Sequence, residues 1–388
     1  MKSAKIILKM VLALIGGGLV GFGAVMLCFM VFADVRAADF LAKFQRVGWL
    51  NLLGVTLFSF VTLILAFLLQ VVIHEGGHLV CGLYSGYRFV SFRILQFTLL
   101  KREGKWCIRR YDLAGTGGQC LLAPPDLPVE QIPVVLYNMA GVMANLLASL
   151  LVAALLLWAD GPSLLESAGW QFCVVGLALA LLNGIPLPGT KIFNDANNML
   201  LLRRNMQSKR ALMDQLRINA AAQEGLRPQQ MPAEWFALFE TDYKDNLQIS
   251  SRLMRAGWLM DGFHWDEACR ELEECYGHRD QMLGLLVDEL ACELMFALLM
   301  TGRKEEAERL YTLPLRKYIG HYRRVMSSKQ RVLCAAKLYL EENEAEALEL
   351  WEALHRNRDR YLMQGEVAMD LALLDEMFRR RKEELREA

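Results

Sequence analysis

The chain has 388 residues, 54% hydrophobic and 22% charged, with 43 basic and 43 acidic side chains. That balance hides a split: residues 1–206 carry 16 Lys and Arg against 10 Asp and Glu, a net of +6, whereas residues 207–388 carry 27 against 33, a net of −6. The absence of a basic stripe with interleaved aromatics argues against a nucleic-acid partner, and nine scattered cysteines without a CxxC pair argue against a disulfide framework or a cysteine-zinc ribbon.

The first half reads as membrane. Segments 10–33, 47–74, 131–159 and 167–190 contain no Asp, Glu, Lys or Arg, and each exceeds the roughly 20 residues a helix needs to cross a bilayer. The first follows Lys2, Lys5 and Lys9 but outruns the apolar region of a secretory signal, so it is expected to stay as an anchor. Phe40, Leu41 and Phe44 suggest a short surface helix within 34–46. The loop 81–130 holds seven basic residues, 160–166 holds none, and Arg203, Arg204, Lys209 and Arg210 follow the last span. This bias predicts a cytoplasmic loop 81–130 and cytoplasmic N- and C-termini. It leaves 34–46 outside despite Arg36, Lys43 and Arg46.

Between the second and third spans, "RFVSFRILQFTLL" is rich in β-branched and aromatic residues, Gly104 offers a turn, and "KWCIRRYDL" can return as a second strand. "GTGGQCLLAPP" follows. Together they predict a small sheet beside the membrane. Beyond residue 206 the apolar period becomes helical. Glu-Ala pairs recur at 267–268, 306–307 and 346–347, with Gly262 and Gly302 in comparable turn positions. This resembles an all-α tetratricopeptide-like solenoid of longer period, an architecture that binds peptides or proteins. The alternative is an ordinary helical bundle. The fold expected is therefore a four-span membrane protein with a small β element, divided into an anchor and external loop (1–46), a membrane core (47–205) and a cytoplasmic helical-repeat domain (206–388).

The chemistry concentrates in "VVIHEGGHLV". His74 and His78 are four apart and share one helical face, where both imidazoles can bind one metal ion. Glu75 lies about 100° round the helix, beside the metal and able to take a proton from its water. This HExxH arrangement points to zinc. His74 and His78 are also the only histidines in the membrane half, and intramembrane ionisable groups are costly enough to suggest function. Zinc needs a third protein ligand and an open position. Asp195, just after the fourth span, is the candidate; Pro186 and Pro188 break that helix and can bring the aspartate inward. Its other reading is as a cap of the helix that begins there.

Over residues 47–205 the chain resembles the site-2 protease family of intramembrane zinc metalloproteases. The resemblance rests on His74-Glu75-Gly76-Gly77-His78, on "AGVMANLL" with Gly141 and Asn145, and on "NGIPLPGTKIFNDANN". It implies that His74, His78 and Asp195 hold zinc, that Glu75 is the general base, and that Asn145 lines the site and stabilises the oxyanion. Read from the residues alone, Asn145 and Asn183 serve equally as polar glue between helices. "GTGGQCLL" looks like the family's substrate-holding edge strand. Ala196 departs from the family's usual glycine. The implied function is cleavage of a transmembrane protein or peptide within or near the bilayer. The rival reading is a non-catalytic membrane receptor or scaffold whose repeats recruit a protein partner. A prenyl-protein-processing type of zinc protease would need a glutamate on a later span, and the last two spans have none.

Overall fold

A computed structural model describes residues 49–387, apart from 103, 112–116, 159–162, 187–193 and 238. The expected anchor span 10–33 and surface helix within 34–46 lie outside the described residues. The chain divides into two compact units, Met1–Leu65 and Ala66–Ala388. The described part of the first is the opening stretch of helix α1 (Trp49–Tyr84).

Among the described residues, three helices are long and apolar enough to cross a membrane by length and composition: α1, α2 (Val135–Trp158) and α3 (Ser163–Gly184). Each is apolar around most of its circumference, and Leu147, Leu151, Leu177 and Leu181 face outward. An outward Leu is unfavourable in water and suited to lipid. α1 runs ten residues beyond the span expected to end at residue 74, so the HEGGH segment sits inside a continuous helix. α3 starts earlier than expected and stops at Gly184, two residues before Pro186. A proline disfavours the helical conformation in the residue before it, which accounts for the stop.

The loop after α1 forms a four-stranded antiparallel sheet: β1 (Arg88–Ile94), β2 (Phe97–Arg102), β3 (Lys105–Arg110) and β4 (Gly118–Ala123), in the order β3-β2-β1-β4. The stretch read from sequence as one strand is two. Leu95 adopts φ 53°, and Ile94 pairs with Phe97 across the resulting turn. Gly104, at φ 79°, makes the expected β2–β3 turn. Val90, Leu121 and Leu122 pack with Met213 and Leu216 of α5 (Met206–Glu224), while Leu100 and Tyr111 meet Leu362. The sheet is thus tied to the C-terminal helices.

Those helices contain three helix–turn–helix units: α6–α7 (Asn246–Asp261, Trp265–Gly277), α8–α9 (Gly284–Met300, Lys304–Leu310) and α11–α12 (Ser327–Tyr339, Glu344–Asn357). α4 (Asp195–Arg204) precedes α5; α10 (Leu313–Tyr322) lies between the second and third units, and α13 (Gln364–Glu387) closes the chain. Ala268, Ala307 and Ala347 are each fully buried, as the recurring Glu-Ala pairs predict. The turns differ from expectation. Gly302 has positive φ, but its counterparts are Phe263 and Glu342, each five residues before the buried alanine. Gly262 has φ −88° and is not the equivalent position.

Candidate metal centre

One turn of α1 separates His74 from His78, and their Nε2 atoms lie 3.2 Å apart. Asp195 Oδ2 is 3.1 Å from His74 Nε2 and 3.6 Å from His78 Nε2. The three residues expected to share a metal therefore meet at one point, with their ligand atoms all within 4.8 Å of one another.

Packing brings them there. Of the two glycines in HEGGH, Gly76 faces open space, whereas a Cβ on Gly77 would come within 2.5 Å of the Ala140 carbonyl oxygen on α2. Gly77 thus permits a close α1–α2 approach. Gly141 then lies directly against the imidazoles: a Cβ there would stand 2.6 Å from both His74 Cε1 and His78 Nε2. Any side chain at 141 would occupy the space where the ligands converge. Asp195 begins α4, but it does not cap that helix. Asn194 does so, accepting from the Asn197 N–H at 2.9 Å. Asn194 Nδ2 also donates to the carbonyls of Leu182 and Ile185, both at 2.7 Å, and fastens the start of α4 to the end of α3. The Asp195 carboxylate is left to face the histidines. Ala196, at the family's glycine position, is buried with its methyl group accommodated.

The hydrogen-bond roles decide what the cluster can hold. His74 Nδ1 is 2.7 Å from Asn145 Oδ1, and His78 Nδ1 is 2.7 Å from the Tyr137 carbonyl oxygen. Asn145 Nδ2 donates to the backbone and side-chain oxygens of Gln70 at 2.8 and 2.6 Å, which fixes the amide's orientation. Both Nδ1 partners are therefore acceptors, so each imidazole carries its proton on Nδ1 and presents a lone pair at Nε2. Asp195 Oδ2 is buried and receives no hydrogen bond. Three largely buried lone-pair donors facing one another are unfavourable without a cation between them. Two imidazole nitrogens, each with its other nitrogen hydrogen-bonded to an oxygen, and one carboxylate fit a catalytic zinc set with a position left for water.

Sequence reasoning missed Gln70. It is fully buried, and its Nε2 donates to Ser149 Oγ at 3.2 Å and to the Phe172 carbonyl at 3.1 Å. Its place four residues before His74, on the same face of an otherwise apolar segment, was the available clue. Asn183 hydrogen-bonds back to the Leu179 carbonyl at 3.1 Å and lines the cavity beside His74, His78 and Asp195.

That cavity measures about 530 Å³. Glu75 borders it from α1, Tyr137 from α2, and Gly118 and Cys120 from β4. The Glu75 side chain lies against β4, where a Cβ on Gly118 would stand 2.8 Å from Glu75 Oε1. Burial, with the nearby Glu75 charge, pushes the Cys120 thiol up to about 12. The free thiol therefore stays protonated at neutral pH.

Residues 62–302 match the model of peptidase family M50, a span that begins within α1 and passes the expected core boundary at residue 205. No curated protein and no solved structure matches the chain.

Proposed function

This chain belongs to peptidase family M50, and on that premise we propose that it is a zinc-dependent intramembrane endopeptidase. It cleaves membrane-tethered proteins within or near their transmembrane segments. The observation that carries the reading is the convergence of His74 Nε2, His78 Nε2 and Asp195 Oδ2, with both Nδ1 atoms already committed to acceptors.

His74, His78 and Asp195 hold the metal. Zinc held there would lower the pKa of its bound water to about 7 and would polarise the scissile carbonyl. Glu75 takes the attacking water's proton and returns it to the leaving amine. Asn145 acts by holding His74 in one tautomer, because both ends of its amide are already engaged. A substrate helix conceals its carbonyls in its own hydrogen bonds and must unwind before attack. β4 lies at the edge of the sheet beside Glu75, so an unwound segment can add to it as a further strand. The C-terminal helices from residue 206 act as a cytoplasmic tetratricopeptide-like array that engages a protein partner.

Glu75→Gln tests the catalytic assignment while leaving the three ligands in place. In proteoliposomes, cleavage of a membrane-tethered reporter should fall by about 10²–10⁴-fold. Cleavage at the wild-type rate would overturn it.

A further inference from the structure

A second cavity, about 340 Å³ in volume, lies among the C-terminal helices and shares no residue with the metal centre. Its walls are apolar, with Met231, Phe236, Leu253, Met254, Met326 and Met369 among them. Four of these six are methionines, whose flexible thioethers adapt to varied apolar shapes. One end is charged instead. Glu289, Glu293, Arg331, Glu366 and Asp370 line it, and Lys329 stands behind them. An apolar pocket with a few convergent polar groups is the usual form of a ligand site.

The charged end is incompletely matched. Arg331 is fully buried; its Nε pairs with Asp370 Oδ1 at 2.6 Å, and Nη2 pairs with Glu293. Its Nη1 is buried and has no acceptor among the described residues. Glu366 has neither a hydrogen bond nor an ion pair there. Four carboxyls thus face two cations, because Lys329 bonds Glu289 at 2.6 Å and Arg331 serves the other pair. Burial and the adjacent Asp370 charge push the Glu366 carboxyl up to about 7. Glu366 and Asp370 are one helical turn apart on α13, about 6 Å. Glu366, Asp370 and Arg331 all line the same cavity, so a ligand bound there can meet both the unpaired carboxyl and the open donor.

We propose that this cavity binds an apolar primary amine with a carbonyl one carbon away, the group presented by an apolar peptide N-terminus. The ammonium pairs with Glu366, the neighbouring carbonyl oxygen accepts from Arg331 Nη1, and the side chain enters the methionine-lined wall. A carboxylate ligand is disfavoured because the polar end is already rich in acids.

The test uses the full chain in detergent and isothermal titration calorimetry with three probes: leucyl-leucine amide, its N-acetylated form, and isoamylamine. Leucyl-leucine amide should bind at least about tenfold more tightly than the acetylated form, which lacks the cation, and than isoamylamine, which lacks the carbonyl. Glu366→Gln should remove the preference for the free amine without lowering the melting temperature. Leu253→Trp, which fills the cavity, should abolish binding. No binding by wild type, equal binding of free and acetylated peptide, or unchanged binding in Glu366→Gln would overturn the proposal. Isoamylamine binding as tightly as the peptide would overturn the role of Arg331.

Discussion

Two buried polar clusters divide the molecule. In one, His74, His78 and Asp195 converge, and among the described residues no Lys or Arg pairs with Asp195. In the C-terminal helices, Glu289, Glu293 and Asp370 surround Lys329 and Arg331, both fully buried. Each cluster gathers acids or imidazoles away from water. The second neutralises most of its charge with the chain's own cations. The first turns its imidazole protons outward, toward the Asn145 Oδ1 and the Tyr137 carbonyl, and its lone pairs inward. The difference separates a candidate metal centre from an internally neutralised ion network. Buried acidic groups are common to both, so the deciding feature is whether the chain provides the counter-charge.

The comparison can be broken from either side. Removing the internal cation should have the largest effect: Arg331→Met leaves Glu293 and Asp370 buried without it and should cost about 3–5 kcal/mol. A marked fall in the melting temperature, with bound zinc per folded chain unchanged, would separate the two clusters. A stable Arg331→Met protein would show that the network is not structural. Next comes the unmatched carboxyl. Glu366 has a folded pKa of about 7 against an ordinary 4.5, so the fold favours its protonated form. Its contribution to stability is complete below about pH 4.5 and is lost as pH rises through 7. Glu366→Gln should therefore stabilise the protein at pH 8 by up to about 3 kcal/mol and leave it unchanged at pH 4. Melting curves at the two pH values read this directly, and an equal effect at both would contradict it. The smallest effect belongs to the orientation of the ligands. Asn145→Leu removes the acceptor of His74 Nδ1 but no ligand, and should weaken zinc affinity by about 10–100-fold. An unchanged affinity in competition with a chelator would mean that the tautomer is set in some other way.

Much of the membrane region was legible because its physics is local. A long run without charge reads as a span, and two histidines at helical spacing in such a run read as a shared ligand face. Asp195 could be picked out because few acids lie near enough to the third and fourth spans. Gln70 escaped because a lone amide in an apolar run carries no spacing motif of its own. The turn at Leu95 escaped because no Gly, Pro, Asn or Asp marks it: its φ of 53° is imposed by the pairing of β1 with β2. Phe263 and Glu342 hide their positive φ in the same way, and Gly262 next to Phe263 drew attention to the wrong residue. The Lys329–Arg331 network was unreadable for another reason. Its partners come from α8, α11 and α13, and only the packing of those helices turns scattered surface-type residues into a buried cluster.

The most direct measurement is the metal content of the protein purified without chelators, taken beside His78→Ala. The geometry of His74, His78 and Asp195 predicts about one zinc per chain in the native protein and little in the variant, with both still folded. Native protein that takes up no zinc, or a His78→Ala variant that holds it as well as native, would contradict the metal centre and the peptidase chemistry built on it.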